Sequence, residues 1–300
     1  MPDNCEINYV VATFDGVSHT SRKQQYPSPS DSFRAHISQL NRVEHSLQQI
    51  TIMKAHNPST QRFEGYYANA QRIYSGICKE FDVENSGYSG GQWLKGYELT
   101  KYQKFDYYIF MEDDYCPLRN RFDEELLSIY RKKFPDGIGL LCGFVQGDSK
   151  YQNTSGGLPI HWEGFVFVSK ETMEKMYREW DNNPQKELDS FYTLQPDVYN
   201  MYQRYRGAYY QVAFSQLFVQ SGVKHDDILN SILSDGNLHR LSPYWGDRKL
   251  YFYGKNDVRH DTYSDSDISN AVIGPIQLSR AAWVEYHSGK DRAHFRRRYA

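Results

Sequence analysis

The first 145 residues alternate between short apolar runs and segments whose apolar positions recur with helical spacing. The apolar runs are rich in β-branched and aromatic residues, which predicts buried strands at 7–14, 50–53, 106–111 and 138–145. The intervening segments predict helices on the apolar positions within 33–47, 70–81, 93–97 and 122–130. Strands that alternate with helices favour a parallel sheet with helices on both faces.

The second half of the chain has a less regular pattern. A strand at 164–168 leads into a helix over 173–180, and two further strands are expected near 250–253 and 272–278. We therefore predict an α/β fold with a mostly parallel central sheet flanked by helices. The chain is expected to be a single domain over residues 1–300, with an elaborated C-terminal half.

Composition narrows the class of protein. Lys and Arg total 35 against 37 Asp and Glu, a net charge of −2, which argues against a nucleic-acid partner. No apolar run approaches the roughly 18 residues of a transmembrane segment, and the polar start does not resemble a secretory signal. The 4 cysteines form no C-x-x-C pair, so we expect a reducing, cytoplasmic setting. The basic stretch at 290–298 is either a solvated helix end or a contact to a phosphate or to an anionic lipid at a membrane surface.

Aromatic residues are frequent, because Tyr 26, Phe 16 and Trp 5 together make up 16% of the chain. A tyrosine combines an apolar ring with a polar tip, so it suits both half-buried packing and polar grooves. Many of the tyrosines lie between residues 192 and 253. This distribution suggests a groove that contacts a sugar or a nucleotide.

The most specific feature is an acidic triplet, Glu112-Asp113-Asp114, directly after the apolar strand at 106–111. Ligands collect at the carboxyl ends of strands in open α/β sheets. Residues two apart on a strand point the same way, so Glu112 and Asp114 could share a Mg²⁺ or Mn²⁺ ion while Asp113 points elsewhere. The alternative is a solvated acidic turn without a ligand.

Residues 106–117 resemble the DXD-type motif of GT-A fold glycosyltransferases, which hold a nucleotide-sugar through a divalent ion. Three other segments resemble motifs of that family and occur in the family's order. They are a glycine-containing segment at 85–91, a donor-sugar and acceptor segment at 159–170, and an "xED" element at 222–233. No Q-x-x-R-W motif is present, which argues against a processive polysaccharide synthase.

The resemblance implies a division of labour along the chain. Residues 1–145 would form the nucleotide-sugar half and residues 146–300 the acceptor half with a C-terminal extension. Side chains that the resemblance assigns to the nucleotide are Thr13, Phe14, Asp15, Asn85 and Asp113. Those that it assigns to the sugar or acceptor are Trp162, Glu163 and Gly164. A core tryptophan with a surface glutamate is the competing interpretation of that last group.

The resemblance also implies the catalytic and metal residues. Asp227 would be the general base, with Asp226 as the competing choice, at the start of a helix over 228–233. Glu163 is another candidate base, and capping of that helix is the structural alternative for the two aspartates. Glu112 and Asp114 would bind the metal together with a histidine. We choose His260 for that histidine, in competition with the histidines at 239 and 287.

The predicted activity is therefore an inverting, metal-dependent transfer of one sugar, by a hexosyl- or pentosyltransferase of glycan biosynthesis. The cofactor would be Mn²⁺ or Mg²⁺, the donor a UDP-, GDP- or dTDP-sugar, and the acceptor a hydroxyl of a glycan or glycoconjugate. A sugar-nucleotide-forming nucleotidyltransferase is the first alternative, although residues 12–16 lack its usual early glycine-rich, basic loop. A non-catalytic carbohydrate-binding protein is the second, and it would not need the acidic triplet. A glycosidase also uses two carboxylates, at a geometry that the sequence does not show.

Overall fold

The computed structural model describes residues 5–14, 29–56, 74, 76–84, 88–113, 115–146, 160–182, 221–227 and 272–275. Seven strands of this part of the chain form one sheet, and two more form a small second sheet. The strands are β1 (Ile7–Phe14), β2 (Gln49–His56), β3 (Cys78–Glu84), β4 (Tyr107–Glu112), β5 (Tyr115–Pro117), β6 (Leu140–Gln146), β7 (Ile160–Ser169), β8 (His225–Asp227) and β9 (Ile273–Pro275). The described helices are α1 (Pro29–Leu40), α2 (Tyr88–Thr100), α3 (Phe122–Lys133) and α4 (Lys170–Asn182).

The order of the large sheet is β3-β2-β1-β4-β7-β6-β8. β1 pairs parallel with β2 and β4, β2 with β3, and β6 with β8, while β7 runs antiparallel to both of its neighbours. The predicted α/β fold with a mostly parallel sheet is therefore confirmed. The first four strands follow the 3-2-1-4 order of a Rossmann-like half, whose order reverses between β1 and β4.

Both faces of the sheet are covered, which explains why its central strands are continuous apolar runs. All eight residues of β1 are buried. Tyr9 and Val11 pack into a cluster with residues of α1 and α3, whereas Val10 and Ala12 pack into a cluster with residues of α2 and α4. A parallel strand buried on both sides has no solvent-facing positions, so it loses the alternation of a half-exposed strand.

Helix α2 approaches the sheet closely at a glycine. A Cβ atom on Gly96 would lie 2.6 Å from Cγ1 of Val10 and 3.3 Å from Sδ of Met53. Val10 and Met53 are fully buried in adjacent strands, so they have little room to move aside. The absence of a side chain at residue 96 lets α2 pack directly on β1 and β2.

The small sheet lies directly after the acidic residues. β5 pairs antiparallel with β9, with Tyr115 opposite Pro275 and Pro117 opposite Ile273. Val272 and Ile273 are buried in the same cluster as α1 and α3. The predicted strand near 272–278 is therefore present at Ile273–Pro275, and it joins a late part of the chain to the segment that follows Glu112 and Asp113.

Several predicted elements differ from the structure. The helix predicted over 70–81 is wrong where it overlaps β3, because Cys78–Glu84 is an edge strand paired parallel with β2. Its apolar residues fit both spacings over such a short segment. The glycine-containing segment at 85–91 overlaps the first turn of α2, which begins at Tyr88. Leu47 is buried in the connection before β2, since α1 ends at Leu40. The strand expected near 250–253 lies outside the described residues.

Candidate functional site

β1 and β4 stop pairing with each other at their carboxyl ends, at one edge of the sheet. Ala12 is the last residue of β1 that pairs with β4, opposite Glu112. β1 continues for two residues beside β2, with Thr13 opposite Lys54 and Phe14 opposite Ala55. Neighbouring strands that part where the strand order reverses leave a crevice at their carboxyl ends, which is the usual ligand position in such sheets.

The N-terminal residues of α2 contact the ends of both strands. The Ser89 hydroxyl donates to Oε1 of Glu112 at 2.5 Å. The backbone N–H of Thr13 donates to Oε1 of Gln92 at 2.9 Å, and the Thr13 hydroxyl donates to the carbonyl of Met53 at 2.7 Å. The helix N-terminus, with its partial positive charge, is thus held at the ends of β1 and β4.

Glu112 and Asp113 face opposite sides of the sheet. Glu112 is partly exposed and lies on the α2 side through its contact with Ser89. Asp113 is fully buried and lies on the α1 side, where its charge acts on His36. This arrangement continues the alternation of β4, in which Phe110 faces α2 and Met111 faces α1.

His36 of α1 is a buried link between β1 and the segment after the acidic residues. Its Nδ1 lies 2.5 Å from the carbonyl oxygen of Tyr115, and its Nε2 lies 3.1 Å from the Tyr9 hydroxyl. A carbonyl can only accept, so Nδ1 carries the proton and the Tyr9 hydroxyl donates to Nε2. Burial lowers the pKa of His36 to about 4, and the nearby charge of Asp113 opposes that shift. The imidazole is therefore neutral at physiological pH.

The carboxylate oxygens at this edge of the sheet are the type of ligand that hard divalent cations prefer. Among the described residues, no three acidic, histidine or cysteine side chains meet in a group that could hold a metal ion. Glu112 supplies one partly exposed carboxylate, and Asp114 lies outside the described residues. Mg²⁺ is commonly bound by only one or two carboxylates, with water and substrate phosphate completing its shell. Glu112 therefore fits such an ion, but only together with further ligands.

The segment predicted to contact substrate adjoins the same edge. Met111 of β4 pairs with Phe165 of β7, so residues 162–164 continue β7 beyond the last residue pair with β4. Trp162 pairs with Phe144 of β6 instead. The backbone of Trp162, Glu163 and Gly164 thus lies beside the carboxyl ends of β4 and β6.

Asp226 and Asp227 are the last two residues of strand β8, directly before the predicted helix over 228–233. β8 is the outermost of the described strands on this side of the sheet, and Asp227 pairs with Cys142 of β6. Oδ2 of Asp226 forms an ion pair with Nζ of Lys133 at 2.9 Å. Three strand spacings separate β4 from β8, or about 14 Å. The predicted helix over 228–233 lies outside the described residues.

The structure does not describe four of the predicted site residues. Asp15, Asn85, Asp114 and His260 lie outside the part of the chain that the structure describes. The sequence patterns do not predict the contacts of Ser89, Gln92 and His36. Ser89-Gly-Gly-Gln92 matches the S-x-x-Q pattern of a capping box and would have predicted a helix start there. No local pattern marks His36, because its partners are distant in sequence.

No protein-family model matches the sequence, and no curated protein matches it. Solved structures with a related backbone include galactosyltransferase LgtC in complex with donor and acceptor sugar analogs, at 12% identity over 70% of each chain with a TM-score of 0.39. A cytidylyltransferase from Leptospira borgpetersenii serovar Hardjo-bovis is 13% identical over 58% of this chain and 64% of its own, with a TM-score of 0.35. CMP:2-keto-3-deoxy-manno-octonic acid synthetase complexed with CTP is 10% identical over 74% of this chain and 89% of its own, with a TM-score of 0.40. Similarities this low identify neither a fold family nor a reaction.

Within the described residues, no helix is both long enough and apolar enough to cross a membrane.

Proposed function

We propose that the chain is a metal-dependent glycosyltransferase of the GT-A type, which moves one sugar from a nucleotide-sugar to a hydroxyl of a glycan or glycoconjugate. The observation that carries this proposal is the position of Glu112. Its partly exposed carboxylate lies at the carboxyl end of β4, where the strand order reverses beside β1. Ligands bind at this point in open α/β sheets, and the order of the sequence motifs favours a sugar nucleotide.

The donor would lie along the ends of β1 and β4. Thr13 and Phe14 end β1 at this edge, and with Asp15 and Asn85 they are our candidates for nucleotide contact. Glu112 and Asp114 would hold Mn²⁺ or Mg²⁺, which neutralises the charge of the departing diphosphate when bound. Asp113 is fully buried beside His36, so we propose that it supports the acidic turn rather than touching the nucleotide.

The acceptor would bind between residues 162–164 and the end of β8. A carboxylate removes the proton of the acceptor hydroxyl while the hydroxyl oxygen bonds to the anomeric carbon. The bond from that carbon to the diphosphate breaks in the same step. Asp227 is our choice for this base, because the carboxylate of Asp226 already pairs with Lys133. Attack opposite the leaving diphosphate would invert the anomeric configuration. Since β8 lies about 14 Å from β4, the reacting sugar would have to bridge part of that distance.

Donor hydrolysis tests the proposed reaction class. The protein would be incubated with UDP-, GDP- and dTDP-sugars and Mn²⁺, with and without a chelator, and the released nucleoside diphosphate would be measured. We expect release from one nucleotide class that stops on chelation. Pyrophosphate release from a nucleoside triphosphate and a sugar phosphate would instead indicate the nucleotidyltransferase alternative. No release and no metal-dependent nucleotide binding would contradict the enzyme proposal.

Two variants then test the assigned roles. Asp227→Asn should abolish transfer but leave metal-dependent nucleotide binding intact, because it removes the base and keeps the side-chain shape. Asp114→Ala should weaken metal-dependent binding itself. Asp226→Asn is the matched control for Asp227, and its transfer rate should fall much less. The opposite ranking of the two aspartates would reverse their assignment.

A further inference from the structure

Among the described residues, the exposed large hydrophobic side chains are those of Leu99 and Tyr102, and both lie at the carboxyl end of α2. Leu99 is in the last turn of the helix and is 38% exposed, whereas Tyr102 is in the turn that follows and is 91% exposed. Single exposed apolar residues are ordinary on a protein surface. Two that are three residues apart at a helix end are neighbours, so they form one apolar projection.

Lysines of the same turn surround this projection. Nζ of Lys101 lies 5.3 Å from the ring centroid of Tyr102 and 4.4 Å from that of Tyr177 in α4. The ammonium group therefore lies over both rings. Lys104 follows two residues after Tyr102 and is exposed.

Gln103 brings two further lysines to the same turn. Its side-chain oxygen accepts a hydrogen bond from Nζ of Lys79 in β3 at 3.2 Å. Its backbone carbonyl accepts one from Nζ of Lys170, the first residue of α4, at 3.0 Å. We define the α2-end patch as Leu99 and Tyr102 together with the lysines at 79, 101, 104 and 170.

Nearby acids offset only part of this positive charge. Glu98 is paired with Lys95, whose Nζ lies 2.8 Å from its Oε2. Asp106 accepts a hydrogen bond from the backbone N–H of Glu6 at 2.9 Å and keeps its charge. Glu174 of α4 acts on the buried Tyr97 from the neighbouring helix. The four lysines of the patch exceed the two unpaired acids by two charges, so the patch favours an anionic partner.

The size of the patch indicates which anionic partner it fits. A stable protein interface buries about 800 Å² on each partner, far more than two exposed apolar side chains provide. A bilayer surface requires no complementary shape. Tyrosine rings are enriched at the level of the lipid headgroups, and lysines there extend their charged ends to the lipid phosphates. We propose that the α2-end patch docks the protein peripherally on a membrane surface that contains anionic lipids.

This docking leaves the crevice at the ends of β1 and β4 open. α2 begins beside Glu112, where Ser89 contacts that side chain, and its 13 residues end beside the patch. At a rise of 1.5 Å per residue, the two ends of the helix are about 20 Å apart. The inference therefore does not depend on the proposed transferase activity, and changes in the patch should leave donor hydrolysis unchanged.

The experiment measures cosedimentation of the full chain with vesicles. One set contains phosphatidylcholine alone, and the other contains phosphatidylcholine and phosphatidylserine in equal parts. We expect the wild type to bind only the anionic vesicles, and to be released by added salt. Lys104→Ser should weaken binding about 5-fold, which is the effect of one lysine near an anionic surface. Tyr102→Ser should also weaken binding, whereas Tyr102→Trp should retain it, because tryptophan prefers the same interface.

Lys132→Ser is the matched control. Lys132 is exposed on α3, whose buried residues pack on the opposite face of the sheet from those of α2. The change removes the same charge outside the patch, so vesicle binding should remain at the wild-type level. Tyr102 and Lys104 are both exposed, so their variants should keep the wild-type midpoint of urea unfolding.

Four results would overturn the inference. They are no binding of the wild type to anionic vesicles, equal binding to neutral ones, equal losses in Lys104→Ser and Lys132→Ser, and wild-type binding by both Tyr102→Ser and Lys104→Ser. The last result would place vesicle binding elsewhere in the chain, such as the basic stretch at 290–298. None of these results bears on donor hydrolysis, so failure of this inference and failure of the proposed function are separate observations.

Discussion

Glu112 and Asp113 are adjacent acids that lie in opposite surroundings. Glu112 is partly exposed on the α2 side and accepts a hydrogen bond from Ser89. Asp113 is fully buried on the α1 side, near a neutral His36 that binds Tyr9 and Tyr115. The alternation of β4 continues through both residues, so one peptide unit separates a partly exposed carboxylate from one that belongs to the interior.

The contrast shows that an acidic triplet need not act as a unit. Burial of Asp113 is tolerable only where neighbouring groups compensate the charge, which ties this residue to the structure around α1. Glu112 is partly exposed, so its carboxylate is less desolvated than that of Asp113. We therefore expect the loss of His36 to alter stability strongly, and a change at Glu112 to alter binding with little effect on stability.

The largest effect on stability is expected for His36→Leu. The change removes both hydrogen bonds and leaves the buried Tyr9 hydroxyl and Tyr115 carbonyl without their imidazole partner. Each such group costs about 1–3 kcal/mol, so the free energy of unfolding should fall by about 4 kcal/mol in urea titrations. Glu112→Gln is the contrast variant and should change stability by less than about 0.5 kcal/mol. Equal losses of stability in His36→Leu and Glu112→Gln would contradict the difference between the α1 and α2 sides of the sheet.

A second effect should appear in acid. The pKa of His36 is lowered by burial to about 4, below its unfolded value of 6.5, so the unfolded chain takes up the proton more readily. The stability from His36 is fully present above pH 6.5 and is lost as the pH falls toward 4. The difference between the folded and unfolded pKa values of His36 corresponds to a loss of about 3 kcal/mol in the free energy of unfolding. The charge of Asp113 makes this loss smaller, because it favours the charged imidazole.

Urea unfolding at several pH values would measure this contribution as the difference between wild type and His36→Leu. That difference should shrink between pH 6.5 and pH 4. A difference that stays constant over this pH range would mean that burial does not lower the pKa of His36 in the folded chain.

A smaller loss is expected for Gly96→Ala on the α2 side. A new Cβ would lie 2.6 Å from Cγ1 of the buried Val10, and overpacking of this kind costs about 1–3 kcal/mol. The better helix propensity of alanine returns up to about 1 kcal/mol, which leaves a net loss of about 1 kcal/mol. Lys95→Ala is an exposed control on the same helix and should be nearly neutral. A stabilised Gly96→Ala variant would show that α2 can move away from β1.

The strands with continuous apolar runs were predictable, because burial on both faces leaves a pattern in the sequence. β1 and β4 were found with nearly correct ends, and the opposite orientation of Glu112 and Asp113 follows from strand alternation. β3 was mistaken for a helix because an edge strand is only half buried and its short pattern fits both periods. His36 could not be predicted, since its role depends on Tyr9 and Tyr115 meeting across the fold.

The site itself was predictable only in outline. The acidic residues mark the end of β4, but the sequence does not show that β1 and β4 are adjacent or that α2 begins beside them. The position of β8 at the sheet edge, with Asp226 paired to Lys133, also depends on contacts between distant segments. Such contacts arise from packing of whole elements, which local patterns do not encode.

The most direct test of the proposed metal site is anomalous diffraction at the manganese edge from crystals grown with Mn²⁺ and a nucleoside diphosphate. We expect one Mn²⁺ within coordination distance of a Glu112 carboxylate oxygen, with the diphosphate beside the ends of β1 and β4. A Mn²⁺ ion and nucleotide bound elsewhere, away from Glu112, would contradict it.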